Sequence, residues 1–243
     1  MFDKHNQLVF YANILIIVFG ATVILFSDFT LVGFLIIAGG AVLMYEQFKQ
    51  NQGTFRISGV EKVLTIKDTC GTRATVKQQQ KTTACHVDNN VYWFKNIASS
   101  GSIGNFSING QFPIEQVKDK HSKYQVCMAL PTNPTKATKG IDTILSYDYT
   151  NAFGRTKGEL SHVIDDETDQ VKLVVDLPKG RPIASARAYC KYNGTEEALL
   201  PPVITGETRI ETEIENPKLG AEYCLQWTWP EANIIKKITC YLK

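Results

Sequence analysis

The chain has 243 residues and a net charge of +2, with six cysteines. This balanced charge argues against a general nucleic-acid-binding protein. The cysteines form neither a CxxC pair nor a close framework, which indicates reduced, partly buried thiols in a cytosolic protein. In the opposite topology they could pair, and Asn105 and Asn193 would become glycosylation sequons in a eukaryote.

Two apolar runs begin the chain, residues 8–26 and residues 31–45, separated by the polar break at Ser27 and Asp28. The first run has no charge and approaches the ~20 residues that a membrane-spanning helix needs. A cleaved signal peptide would not be followed at once by a second apolar run, and helices of a soluble core would show a polar stripe. The sequence therefore predicts a transmembrane helical hairpin over residues 1–50.

The cations around these runs predict the orientation of the hairpin. Lys4 precedes the first run and Lys49 and Arg56 follow the second, whereas the connecting turn carries Asp28. By the positive-inside tendency both termini are cytoplasmic. In a bacterium this predicts a two-pass protein of the inner membrane with its remaining residues in the cytoplasm.

Polar and small residues within the runs suggest how the helices would pack. An amide in hydrocarbon is costly without a partner, so Asn13, and Thr22 after it, are the candidates for facing a pore. Small residues let helix backbones approach closely. The candidate helix-packing residues are Gly20, Gly33, Gly39 and Gly40.

The rest of the chain has the texture of short β-strands, predicted as one β-rich domain over residues 51–140 and a second over residues 141–243. Asn109-Gly110 between β-prone segments predicts a two-residue hairpin turn, because type I′ turns need positive φ at both centres. Residues 114–120 are predicted as a brief helix. Further strands are predicted at 63–67, 73–77, 91–97, 106–108 and 124–130.

The second β-rich domain shows a regular alternation of apolar and polar residues. Residues 171–177 and 210–214 alternate apolar with polar side chains, which is typical of strands with one solvated face. Trp227 and Trp229 share one face of a last long strand and are predicted to lie in the core. Together these features predict antiparallel, barrel-like or immunoglobulin-like β-sandwich domains behind a membrane α-hairpin.

No catalytic or metal-binding motif is present, which favours a protein that is not an enzyme and uses no cofactor. Cation pairs in or near loops, together with aromatics beside a cation, are the combination that binds phosphates and stacks bases. They indicate an anionic, nucleotide-type ligand. The candidate ligand-binding residues are Lys77, Lys81, Trp93, Lys95, Lys136, Lys139, Arg155 and Lys157.

Two apolar spans over residues 8–26 and 31–45, a very short turn and a β-rich remainder resemble the two-transmembrane effectors of bacterial anti-phage systems. These include the β-rich membrane effectors of cyclic-oligonucleotide signalling operons and the membrane effector of the Hailong system. The resemblance implies abortive infection by a homo-oligomeric, tetrameric, ion-conducting pore in the inner membrane. A partner nucleotidyltransferase would supply the nucleotide or oligonucleotide signal that gates it.

A second hypothesis makes the hairpin only an anchor. In that case the β-rich region is a scaffold or receptor module that recruits a cytosolic partner. The two hypotheses differ in where activity resides, since a scaffold would bind its partner through residues 51–243 alone.

Overall fold

The computed structural model describes residues 36–41, 55–84, 91–98, 101–120, 123–130 and 140–230. The chain divides into two compact units, Met1–Gly53 and Thr54–Lys243. In the first unit, residues 36–41 are helical, with Gly40 buried and Gly39 exposed. The described residues of the second unit form β-strands and their connections.

The second unit has fifteen strands in the part of the chain that the structure describes. Their bounds are β1 Phe55–Ile66, β2 Arg73–Ala84, β3 Val91–Ile97, β4 Ser102–Ile108, β5 Glu115–Lys118, β6 Tyr124–Ala129, β7 Ile141–Thr150, β8 Lys157–Val163, β9 Glu167–Thr168, β10 Gln170–Asp176, β11 Ser185–Tyr192, β12 Thr195–Ala198, β13 Val203–Thr205, β14 Arg209–Glu215 and β15 Glu222–Thr228.

The largest sheet has eight strands in the order β13-β14-β10-β1-β2-β7-β4, with β9 also pairing with β1. It is mixed, because β1 pairs in parallel with β10 and β9 and antiparallel with β2. At its centre, Val63 lies opposite Val174 on one side and Lys77 on the other. We call this the large sheet.

Two smaller sheets complete the unit, one in the order β12-β11-β15-β8 and one in the order β3-β6-β5. Alternate residues of the large sheet, such as Leu64 and Val76, belong to the same buried cluster as Trp227 and Phe94 of the smaller sheets. One face of the large sheet therefore forms one side of the core. Burial of this apolar area is the main stabilising contribution to the fold. The opposite face carries exposed residues such as Glu61, Thr65 and Lys77.

The predicted membrane hairpin is corrected by this structure. The structure describes residues 36–41 of this region, and they are helical. Among the described residues, no helix is both long and apolar enough to span a bilayer. Residues 8–26, with Asn13, Gly20 and Thr22, lie outside the described residues, as does Gly33. The two-pass inner-membrane placement and the ion-channel role that depends on it are not retained.

The predicted strands are largely confirmed, but one predicted helix is wrong. Residues 114–120 contain β5, which pairs with β6 instead of forming a helical turn. Asn109 and Gly110 form the predicted turn, with φ of 53° and 78° and reciprocal backbone hydrogen bonds between Ile108 and Gln111. Trp227 and Trp229 are fully buried, as predicted. The purely antiparallel sandwich is corrected to a mixed sheet, because β1 and β10 run parallel.

The cysteines also depart from the expectation of six reduced thiols. Cys70 is disulfide-bonded, whereas Cys127, Cys190 and Cys224 are free and buried. Disulfides persist in oxidising compartments, so this bond argues against the reduced cytosolic thiols that the sequence predicts.

Candidate functional site

The outer face of the large sheet carries a depression at its centre. Successive side chains of a strand point to opposite faces, so the outward residues of β1, β2 and β7 form a polar surface opposite the core. The depression has a volume of about 670 Å³ and is open to solvent. Its lining residues are Glu61, Val63, Thr65, Lys67, Thr75, Lys77, Gln79 and Ile144. We call it the outer groove.

The strand register sets the layout of the outer groove. Val63 lies opposite Lys77, and Glu61 lies opposite Gln79. Gln79 in turn lies opposite Ile144 of β7. Side chains that are directly opposite one another are close neighbours, so the aliphatic groups of Val63 and Ile144 lie among amide and charged groups. Ile144 is 43% exposed, which leaves apolar area for a ligand to cover.

The charges of the groove differ from one end to the other. Asp148, next to the lining, accepts hydrogen bonds from Asn105 (3.0 Å) and Thr75 (2.8 Å) and lies 3.7 Å from Lys67. The hydrogen bond from Asn105 is the largest influence on this carboxyl, and with the Thr75 and Lys67 contacts it holds the Asp148 pKa below its usual range. Lys77 forms no ion pair with any described residue. Its ammonium group is available to an anionic ligand.

A second polar cluster lies inside the protein, on the core face of the large sheet. Buried Gln78 donates to Gln80 (2.8 Å), and Gln80 donates to Thr82 (2.9 Å). Lys62 is buried and donates to the backbone carbonyl of Ser161 at 2.8 Å, which ties β1 to β8. Buried polar groups cost stability unless they are hydrogen-bonded, and these groups are paired within the protein.

Burial shifts the pKa values of this interior cluster. It lowers the pKa of Lys62 to about 8 and, with the nearby Lys62 charge, that of His162 to about 3. It raises the pKa of Asp166 to about 6, although the charge of Lys95 acts in the opposite direction. Perturbed groups often mark functional sites, but structural networks also perturb pKa values. The hydrogen bonds of this cluster are internal to the protein, so we assign it a role in stability.

The structure separates the residues predicted to bind a nucleotide. Lys77 lines the outer groove, and Lys81 is exposed further along β2. Trp93 and Lys95 belong to β3 in the three-stranded sheet, and Lys157 begins β8 in the four-stranded sheet. Arg155 precedes β8, and its backbone carbonyl accepts from Trp229 and Arg181. Lys136 and Lys139 lie outside the described residues.

Sequence reasoning identified one lining residue, Lys77, and missed the rest of the outer groove. The signal that was available is the alternation of Thr75, Lys77, Gln79 and Lys81 along one strand face. The interpretation of residues 77–81 as a cation pair near a loop hid this alternation, because these residues lie within β2, which continues to Ala84. In the part of the chain that the structure describes, no group of three His, Cys, Asp or Glu side chains is placed to hold a metal ion.

No protein-family model matches the chain, and no curated protein matches it either. Solved structures match with low similarity. The M1 zinc metallopeptidase of Deinococcus radiodurans is 11% identical, with a TM-score of 0.37 over 72% of this chain and 43% of that one. A putative protease of Parabacteroides distasonis is 11% identical, with a TM-score of 0.42 over 73% of this chain and 41% of that one.

Yeast LTA4 hydrolase in complex with bestatin is 10% identical, with a TM-score of 0.41 over 71% of this chain and 28% of that one. The chain therefore spans less than half the length of these structures. At these TM-scores the likeness assigns neither a fold family nor an activity.

Proposed function

We propose that the chain is a non-catalytic recognition module whose outer groove binds an extended segment of a partner protein. The observation that carries this proposal is the open depression of about 670 Å³ on the solvent face of the large sheet. Binding sites are typically concave, with apolar lining and a few placed polar groups. The proposal keeps the receptor-module hypothesis and removes its membrane anchor.

The lining favours a segment that carries both acidic and aliphatic side chains. Val63 and Ile144 supply apolar contact area, and Lys77 supplies a cation that has no ion-pair partner among the described residues. Gln79 and Thr65 add hydrogen-bonding groups beside them. An extended peptide presents alternate side chains at a spacing that matches a strand, so one face of it can contact both kinds of group.

A nucleotide is the less favoured ligand. Base recognition on open sheets depends on aromatic side chains that stack with the bases. The described lining holds no aromatic ring, and Trp93 belongs to a different sheet. The same lining also lacks a Ser, Cys or His nucleophile with a paired base, so it favours binding over covalent catalysis.

The test is fluorescence anisotropy of the full-length chain with a labelled decapeptide of alternating Asp and Leu. We expect saturable binding that weakens as salt rises from about 50 to 500 mM, because exposed charge pairs are screened. Lys77→Glu should weaken binding at least tenfold, because it replaces an attractive charge with a repulsive one. Lys179→Glu is the matched control, since Lys179 is exposed in a loop outside the lining.

Two further ligands sharpen the result. A peptide of alternating Lys and Leu should not bind, and neither should a labelled oligonucleotide. Equal weakening by Lys77→Glu and Lys179→Glu would show that net charge alone attracts the acidic peptide. That result, or tighter binding of the oligonucleotide than of the peptide, would overturn the assignment.

A further inference from the structure

The disulfide at Cys70 has a partner that the described residues narrow to two candidates. The cysteines of the chain are Cys70, Cys85, Cys127, Cys190, Cys224 and Cys240. Cys127, Cys190 and Cys224 are free, whereas Cys70 is disulfide-bonded. The partner within the chain is therefore Cys85 or Cys240, which both lie outside the described residues. The position of Cys70 in the fold distinguishes between them.

Cys70 is fixed in the turn that joins β1 to β2. The Asp68 carboxylate accepts from the backbone N–H groups of Cys70 (3.0 Å), Thr72 (3.0 Å) and Arg73 (2.8 Å). Hydrogen bonds to a charged group are among the strong ones, so this carboxylate holds the turn in one conformation. Cys70 is also buried. The partner cysteine must therefore come to this end of the sheet.

Cys85 belongs to the opposite end of the same hairpin. β2 runs from Arg73 to Ala84, and Ala84 pairs with Phe55, the first residue of β1. A strand of 12 residues covers ~36 Å at ~3.3 Å per residue. Since Cys85 follows Ala84 directly, its Cα atom is ~3.8 Å from that strand end. A disulfide requires Cα atoms less than about 7 Å apart, so Cys85 cannot reach Cys70.

The last described residue of the chain, Pro230, lies beside Cys70. Arg181 donates through Nη1 to the Thr69 carbonyl at 3.1 Å and through Nε to the Pro230 carbonyl at 3.3 Å. One guanidinium group spans only a few ångströms, so Pro230 is a close neighbour of the residue that precedes Cys70. Cys240 follows ten residues later, and a segment of this length is long enough to turn back to its starting point.

We propose that Cys70 and Cys240 form a disulfide that joins the C-terminal residues to the β1–β2 turn. The two thiols lose two protons and two electrons to an oxidising disulfide such as oxidised glutathione, which becomes two thiols. The bond persists in an oxidising compartment and opens in a reducing one. It is thus a redox-dependent tether for the C-terminal residues, and it leaves Cys85 as a thiol.

Peptide mapping of the full-length chain tests this pairing directly. The chain is exposed to oxidised glutathione, unfolded in the presence of N-ethylmaleimide and digested with trypsin. Cleavage after Lys and Arg places Cys70, Cys85 and Cys240 in separate peptides, residues 68–73, 82–95 and 238–243. We expect 68–73 linked to 238–243, with a mass that disappears on reduction, and one maleimide on 82–95. A link between 68–73 and 82–95, or a maleimide on Cys70, would overturn the proposal.

Two variants of the full-length chain form a matched pair. A bond between residues 70 and 240 closes most of the chain into one loop, so the oxidised chain should migrate faster than the reduced chain on a denaturing gel. Cys240→Ser should abolish this difference, and Cys85→Ser should keep it. A mobility difference that survives Cys240→Ser would overturn the pairing. A disulfide-linked dimer of the unmodified chain would do so as well, because the bond would then join two molecules.

Discussion

The guanidinium carbon of Arg181 lies 3.5 Å from the ring centroid of Trp229. The same guanidinium donates to the backbone carbonyls of Thr69, Arg155 and Pro230 at 3.1, 3.1 and 3.3 Å. These carbonyls belong to three separate connections, so one buried cation joins the loops at this end of the sheets. Only a planar guanidinium group with several N–H donors can donate to all three carbonyls while it stacks on an indole ring.

Replacing Arg181 should therefore destabilise the fold more than its single charge suggests. We expect Arg181→Ala to lower the free energy of unfolding by about 3 kcal/mol, because it removes three hydrogen bonds to part-buried carbonyls and leaves a gap beside Trp229. Arg181→Lys should recover less than half of the loss, since an ammonium group lacks the fork geometry. Urea unfolding followed by tryptophan fluorescence measures both. If Lys restores full stability, charge is the important property and the geometric argument fails.

Two interior groups give the stability of the protein opposite dependences on pH. The pKa of His162 is lowered to about 3, so from pH 3 to 6.5 the unfolded chain binds more protons there and stability rises with pH. The pKa of Asp166 is raised to about 6, so from about pH 4 to 6 the folded chain binds more protons there and stability falls with pH.

Removing each group should expose the contribution of the other. Between pH 4 and 6, the stability of His162→Gln relative to the unmodified chain should fall as pH rises, because the variant lacks the rising contribution of His162. The relative stability of Asp166→Asn should rise over the same range. Thermal unfolding at five pH values checks both slopes, which should each stay below about 1.4 kcal/mol per pH unit for a single proton. Parallel pH profiles for the two variants would contradict the assignment.

The sequence predicts local structure in this protein better than it predicts strand pairing. Alternation over residues 171–177 correctly places Val171, Leu173 and Val175 on a buried face, because that pattern depends only on neighbours along the chain. The parallel pairing of Val60 with Val171 joins distant segments and leaves no local signal. The composition of an apolar run also does not reveal which other part of the protein will pack against it.

The run of glutamines in β2 shows the same limit for the candidate site. Gln79 lines the outer groove, whereas Gln78 and Gln80 are buried and hydrogen-bonded to each other. Because β2 has polar residues on both faces, its sequence lacks the alternation of apolar and polar residues that would predict a strand. Contact with a neighbouring strand comes from Thr143 of β7, which donates to the Gln80 backbone carbonyl. The outer groove could be recognised only after the register of β1, β2 and β7 was known.

Gly158 is required by the packing of Trp227. A Cβ atom built on Gly158 would lie 2.3 Å from Cζ2 of that fully buried indole. Gly158→Ala should therefore lower the free energy of unfolding by about 3 kcal/mol, since overpacking forces a large core side chain to move. Gly104→Ala is the matched control in another strand, where an added Cβ meets nothing within 4 Å. Thermal unfolding of both variants should show a large loss of stability for the first and little change for the second.

The disulfide at Cys70 should make the stability of the protein depend on the redox conditions. Closing a loop with a disulfide restricts the unfolded chain and typically stabilises a domain by about 2–4 kcal/mol. A reducing phosphine should thus lower the unfolding temperature of the unmodified chain, and Cys70→Ser should show the lower value with or without the reductant. Cys127, Cys190 and Cys224 are free and buried, so Cys127→Ser is the control that should retain the response. An unfolding temperature of the unmodified chain that is insensitive to the reductant would mean that Cys70 is a free thiol in solution.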